Sequence, residues 1–253
     1  MGAYESFASV YDLFMNDVDY DGWTDYIEEI WKKFGLTPGL VCELGCGTGN
    51  ITLRLAERGY DMIAVDLSAE MLSEAEKKAE EKNINALFLM QDMREFELYG
   101  TVSSVLCLCD SLNYITEDED MQDVFDLVNN YLDPGGLFIF DLNTEYKFRE
   151  IYGQNTFSET GDDAVYIWEN YYDEEERINE YYLNFFVKNG GGTYDRTQEE
   201  HYERAYSLEE IKGFIEKSGM RFEAAYDAFT FGPAREDSER ICVIAREIMK
   251  KER

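Results

Sequence analysis

The sequence predicts an α/β fold: a seven-stranded, mostly parallel sheet with helices on both faces and an antiparallel β insertion after the fifth strand. Three observations predict it. Five short apolar runs alternate with amphipathic helical patterns through the first part of the chain, as in successive βα units. The alternation stops over residues 150–206, where the helical period vanishes and tyrosine and acid dominate. One more helical pattern and two strand-like runs then resume the first theme.

Residues 1–36 read as a helical segment. Tyr26, Ile27, Ile30, Trp31 and Phe34 recur at helical spacing, and Gly35 with Pro38 closes it. The apolar run Leu40–Leu44 is the first strand. A helix over 50–58 follows, with Ile51 and Leu55 on one face and Gly59 placed to stop it. Strand two covers 62–65 and ends at Asp66. Ser68 caps a helix whose apolar face holds Met71, Ala75 and Ala79. Strands three and four cover 86–90 and 102–109. Thr116 and Glu119 make a capping box ahead of Met121, Val124, Phe125 and Val128. The turn Asp133-Pro134-Gly135-Gly136 leads into strand five at 137–140.

Inside the insertion, one stretch carries Tyr166, Trp168 and Tyr171, a second spans 181–187 and a third 193–206, with Asn189-Gly190 as a hairpin turn. This sheet is expected to lie over one edge of the parallel one. Ser207 and Glu210 form a second capping box, Gly219 stops that helix, and strands over 222–229 and 241–245 close the main sheet.

Composition narrows the function classes. A formal net charge of −31 over 253 residues repels phosphate backbones, and no lysine- or arginine-rich run offsets it, so a nucleic-acid partner is not expected. Five cysteines occur. Cys42, Cys107, Cys109 and Cys242 sit in apolar runs and Cys46 in a glycine loop, which reads as buried thiols in a reducing compartment, hence a cytoplasmic protein. With one histidine in the chain, no metal site is expected. The first residues lack a basic and then apolar leader, and no apolar run is long enough to span a bilayer, so neither secretion nor a membrane location is expected.

The most informative stretch is Val41-Cys42-Glu43-Leu44-Gly45-Cys46-Gly47-Thr48-Gly49-Asn50. A strand enters it and a helix leaves it, the context a cofactor loop needs. Its glycines permit a tight turn and close approach of a ligand to the backbone. Asn50 stands where a dinucleotide fingerprint wants its last small residue. Glu43 would repel a pyrophosphate yet suits a ligand bearing an ammonium and a sulfonium. Asp66, 21 residues after Gly45, can accept both hydroxyls of a ribose.

These residues resemble the first motif of the class I S-adenosylmethionine-dependent methyltransferases, an acid followed by G-x-G-x-G. Val65-Asp66-Leu67-Ser68 is similar to the family's second-strand motif, which implies ribose binding by Asp66 and adenine packing by Leu67. Gln91-Asp92-Met93 sits where the family places an acid near the adenine amino group, and residues 132–137 resemble its turn before strand five. The resemblance covers roughly residues 1–145 and the two closing strands, and implies a Rossmann-like sheet. Within the family the chain most resembles small-molecule N-methyltransferases with an antiparallel lid. Residues 1–149 and 207–253 would then form the cofactor-binding core, and 150–206 the lid. Tyr11 and Tyr20 would close over the methionine end of S-adenosylmethionine, with Glu43, Gly45, Cys46, Gly47, Gly49, Asp66, Leu67, Asp92, Met93 and Cys109 completing the cofactor site.

The acceptor side is less sharply marked. Asn113 and Tyr114 follow the fourth strand, where the family faces its substrate, and each reads equally well as pocket lining or loop packing. His201 suits a general base, but a surface histidine is the more frequent occupant of such a strand. The nine tyrosines of the insertion read first as a packed sheet face and second as an aromatic cage. The expected partner is a small molecule, most simply an amine, and a homodimer is compatible with this reading. Three alternatives carry weight: a methyltransferase of RNA or protein, a non-catalytic cofactor-binding interaction protein, and an NAD-dependent oxidoreductase. Glu43 and Asn50 argue against the last.

Overall fold

The computed structural model describes residues 11, 12, 15, 18–161, 164–189 and 191–250. The helical expectation for residues 1–10, 13, 14, 16 and 17 lies outside these. The first full helix is α1 (Tyr20–Lys33), capped by the Asp19 side chain on Gly22 N–H. It is followed by β1 (Leu40–Leu44), α2 (Asn50–Glu57), β2 (Asp61–Asp66), α3 (Ala69–Lys82), β3 (Leu87–Met90) and β4 (Val102–Cys107). Then come α4 (Asp118–Tyr131) and β5 (Leu132–Asn143). The insertion holds β6 (Thr156–Thr160), β7 (Ala164–Asp173), β8 (Ile178–Lys188) and β9 (Tyr194–Arg204). The chain returns through α5 (Leu208–Ser218), β10 (Met220–Asp227) and β11 (Arg240–Glu247).

The main sheet has seven strands in the order β10-β11-β5-β4-β1-β2-β3, and β11 is antiparallel to both its neighbours. Alternate residues of its strands feed cores on opposite faces, as the two-residue period of a strand requires. In β5, Phe138, Phe140 and Leu142 pack with α4 and α5, while Leu137 and Ile139 pack with α1 and α2. The Asp133–Gly136 turn is absorbed into β5 as a bulge, with Val102 opposite Leu132 and Ser104 opposite Leu137.

Several local expectations change. Thr116 and Glu119 do not cap α4. The helix starts at Asp118 with Glu117 as its N-cap and no side-chain cap bond. Arg204 fixes this start instead, donating to the Thr116 carbonyl at 2.7 Å and pairing with Asp118 at 2.9 Å. In α3 it is Leu72, not Met71, that is buried with Ala75 and Ala79. By contrast the Ser207/Glu210 box forms in full, and Gly219 ends α5 at φ +91°.

The insertion is a separate four-stranded antiparallel sheet, one strand more than expected, in the order β6-β7-β8-β9. Lys188 pairs with Tyr194, so the β8–β9 turn spans 189–193, organised by Asn189 Oδ1, which accepts Gly191 N–H at 3.0 Å. This sheet is not hydrogen-bonded into the parallel one. It covers the carboxyl ends of β1, β2 and β4, where its side chains and the loops after those strands line one cavity.

Candidate active site

The turn after β1 is held against β2: Gly45 and Cys46 both donate their N–H to the Val65 carbonyl, at 2.8 and 3.1 Å. Gly45 has φ +68°, and a Cβ there would stand 2.6 Å from Ser111 Oγ, so only glycine fits. A Cβ on Gly47 would meet nothing within 4 Å, which leaves this backbone open to a ligand. Gly49 has a different task. It lies outside the cavity wall, at the N-cap of α2 with φ +76°, and brings α2 within 3.0 Å of Ala75 Cβ as a Cβ would measure it.

Asp66 closes the loop, its carboxylate accepting Gly47 N–H at 2.7 Å and Ser68 N–H at 2.9 Å. Burial pushes its pKa up, against those same hydrogen bonds. Glu43 is 3% exposed at the cavity floor and accepts a short hydrogen bond from the Thr52 hydroxyl. Burial, with the Asp66 charge nearby, pushes its pKa up to about 8.

Tyr11, Met15 and Tyr20 bring the N-terminal segment onto this wall. What fastens it is Asp12. Its Oδ1 accepts from Thr48 Oγ at 2.7 Å and Asn50 Nδ2 at 3.0 Å, and its Oδ2 pairs with Lys78 Nζ at 2.8 Å. Burial acts to raise the Asp12 pKa, but those three bonds outweigh it and hold the group below the ordinary carboxylate range. Asp12 is adjacent to Tyr11 in the sequence, yet its bonding partners are 36 to 66 residues away, which no local pattern announces.

Past β2 and β3, Leu67 (66% exposed) and Met90 (64% exposed) present bare apolar surface to the cavity they line. Asp92 and Met93 line it too. The Asp92 carboxylate is already gripped by Arg94, at 2.6 Å from Nη2, which holds its pKa below the usual range.

Cys109 and Asp110 after β4 both take left-handed backbone, φ +55° and +56°. A buried polar cluster holds this turn. Asp110 pairs with Arg240 at 2.8 Å and accepts Asn143 Nδ2 at 2.8 Å, while Arg240 also grips the fully buried Asp141. Asn113 proves to be a brace and not pocket lining. Fully buried, it donates to the carbonyls of Asn143 (3.1 Å) and Arg204 (2.8 Å) and accepts Asn143 N–H at 3.0 Å. Tyr114 does line the cavity, with His201 edge-on to it at 5.7 Å between ring centroids. His201 is partly buried on the cavity wall, and burial lowers its pKa. The tyrosines of the insertion divide between packing and the cavity wall. Tyr172 packs with Phe148, whereas Tyr152, Tyr166 and Tyr181 line the cavity beside Trp168. Glu203, at 1% exposure, is a wall residue that nothing in the acidic run of β9 distinguished in advance.

The cavity has a volume of about 1080 Å³ and is continuous from the glycine turn to the lid. Eight carboxylate residues line it, and Arg94 is the one lysine or arginine on its wall among the described residues. No cluster among the described residues is suited to hold a metal ion.

Residues 41–136 match the family model described as a methyltransferase domain. A solved S-adenosylmethionine-dependent methyltransferase from Clostridium acetobutylicum ATCC 824 is 35% identical, with a TM-score of 0.87 over 97% of this chain and 99% of that one. The chain belongs to the S-adenosylmethionine-dependent methyltransferases. Bacillus subtilis (strain 168) YqeM, which carries a family-level methyltransferase name, is 36% identical over 94% of both chains. The fold alone is shared with CalS10, an amino pentose methyltransferase from Micromonospora echinaspora solved with S-adenosylmethionine bound, at 16% identity and a TM-score of 0.76 over 94% of this chain and 96% of that one. Membership in this methyltransferase family sets the NAD-dependent oxidoreductase aside, and the cofactor is S-adenosylmethionine. The seven-stranded, mostly parallel sheet and the antiparallel insertion after strand five agree with the expectation from sequence. No helix among the described residues is long and apolar enough to cross a membrane.

Proposed function

We propose that this methyltransferase acts on the nitrogen of a small molecule seated beneath the lid formed by residues 150–206. The supporting observation is the single acid-walled cavity that joins the glycine turn to the aromatic face of the insertion. Its residues fit the cofactor. Gly47 offers open backbone, Asp66 keeps acceptor capacity for ribose hydroxyls beyond its two amide bonds, and Leu67 and Met90 offer apolar surface to a base. Glu43 and its acidic neighbours favour a ligand with positive charge. Tyr11, Tyr20, Cys46, Met93 and Cys109 would complete that half and Asp92 would face the base, while Gly45 and Gly49 shape the turn.

When bound, S-adenosylmethionine supplies a methyl group on a sulfonium, already activated for displacement. The chain's task is then geometric: to hold the acceptor nitrogen in line, which can be worth about 7–11 kcal/mol. Tyr114, His201 and the lid aromatics exclude water and shape the acceptor end, where a dry wall does not penalise a reaction that disperses charge. An acceptor carrying phosphates finds only Arg94 as a lysine or arginine on the cavity wall among the described residues, and that guanidinium is already paired with Asp92 and Asp120, which weighs against nucleic acid and nucleotide-linked acceptors alike.

Calorimetry with S-adenosylmethionine, followed by transfer of labelled methyl from it to panels of amines, phenols, RNA and peptides, tests the reading. Label appearing only in RNA or peptide would overturn it. Asp66→Ala is expected to weaken cofactor binding by one to two orders of magnitude, since a charge-assisted hydrogen bond is worth about 1.5–3 kcal/mol.

A further inference from the structure

Building on the methyl-transfer reading above, we propose that Glu203, brought into the cavity by lid strand β9, binds the acceptor as an ammonium and takes its proton. The nitrogen then meets the methyl group as a free amine. Glu203 is 1% exposed and lines the cavity. Its Oε2 accepts the Tyr181 hydroxyl at 3.0 Å and Asn143 Nδ2 at 3.3 Å.

Among the described residues this acid has hydrogen bonds but no ion pair of its own. Arg240 is committed to two other carboxylates, Asp110 and Asp141. Lys147 Nζ turns to Asn143 Oδ1 at 2.9 Å and stands 5.0 Å over the Tyr152 ring. A buried carboxylate without a cation is costly, so it either carries a proton or awaits a cationic ligand. The neighbouring wall suits that ligand. Tyr152 and Tyr181 each stand edge-on to Trp168, at 4.8 and 5.4 Å, a set of ring faces that attracts alkylammonium groups.

The proton accounting closes within the site. R–NH3⁺ and the Glu203 carboxylate become R–NH2 and the carboxylic acid. The nitrogen lone pair then forms the N–C bond while the C–S⁺ bond breaks and sulfur keeps its electron pair. Burial, reinforced by Asp110, raises the proton affinity of Glu203 above that of an ordinary carboxylate, which makes it a better acceptor for the ammonium proton.

The test uses the full chain loaded with S-adenosylhomocysteine, with benzylamine as the cationic probe and benzyl alcohol as its neutral counterpart, followed by ligand-observed NMR. The wild type is expected to bind the amine in preference to the alcohol. Glu203→Gln, which keeps the shape, is expected to lose about tenfold or more of the amine affinity while alcohol and S-adenosylhomocysteine binding stay put. Equal amine binding by wild type and E203Q, or no amine binding by the wild type at millimolar concentration, overturns the role of Glu203. Failure of the wild type to bind S-adenosylhomocysteine strikes the methyl-transfer reading instead.

Discussion

The Thr48 hydroxyl donates to Asp12 Oδ1 at 2.7 Å, so the glycine turn and the N-terminal segment form one wall of the cavity. Lys78 from α3 supports the same carboxylate at 2.8 Å. Asp12→Ala should therefore release Tyr11 from the cofactor end without disturbing either core. S-adenosylhomocysteine affinity is expected to fall about tenfold, the worth of one or two such bonds, with the melting temperature shifted by only a few degrees. Calorimetry beside a thermal melt measures both, and unchanged affinity would mean that the segment does not close on the cofactor.

Glu43 sets a pH dependence. Its folded pKa, about 8, lies above the ordinary 4.5, so the folded state binds the proton more tightly than the unfolded one. The stability that follows is complete below the ordinary value and is lost as pH rises from there through about 8. Denaturant midpoints for the cofactor-free protein should thus decline across that window, and Glu43→Gln should flatten the decline. A Gln variant with an undiminished slope would assign the dependence to other groups.

Gly45 and Gly47 both have positive φ, but only Gly45 is crowded. Gly45→Ala must absorb strain and displace Ser111, so a loss of about 1–3 kcal/mol from backbone strain, plus the clash, is expected. Gly47→Ala bears the strain alone. Thermal melts should rank Gly45→Ala below Gly47→Ala, and the opposite order would refute the packing assigned to Ser111.

Arg240 bridges Asp110 and the fully buried Asp141. Arg240→Leu leaves Asp141 buried without its cation, at an expected cost of about 3–5 kcal/mol. Adding Asp141→Leu removes the stranded charge, and the double variant should recover part of that loss. Chemical denaturation of the single and double variants measures the coupling, and simple additivity would show the pair to be independent.

The legible parts of this protein were those whose partners are near in sequence. The Ser207/Glu210 box needs three residues of context, and the turn from Glu43 to Asn50 carries its meaning in its own glycines. Thr116 and Glu119 satisfy the same box pattern, yet Arg204 from the lid holds the Thr116 carbonyl, so tertiary contact outranks the local signal. From its place after a strand end Asn113 reads equally as pocket lining or loop packing, and only the Asn143 and Arg204 carbonyls around it reveal a brace. His201 and Glu203 sit two residues apart on one strand, so they share a face. Which face meets the cavity depends on the register with β8, where Tyr181 pairs with His201, and no single strand encodes that.

One consequence lies in the order of synthesis. Asp141 and Arg240 are 99 residues apart, and β11 slots between β5 and β10 to bring them together. A ribosome exposes the glycine turn, Asp66 and the whole lid long before it delivers Arg240. The growing polypeptide therefore carries most of the cavity wall while the floor under Asp110 is still missing.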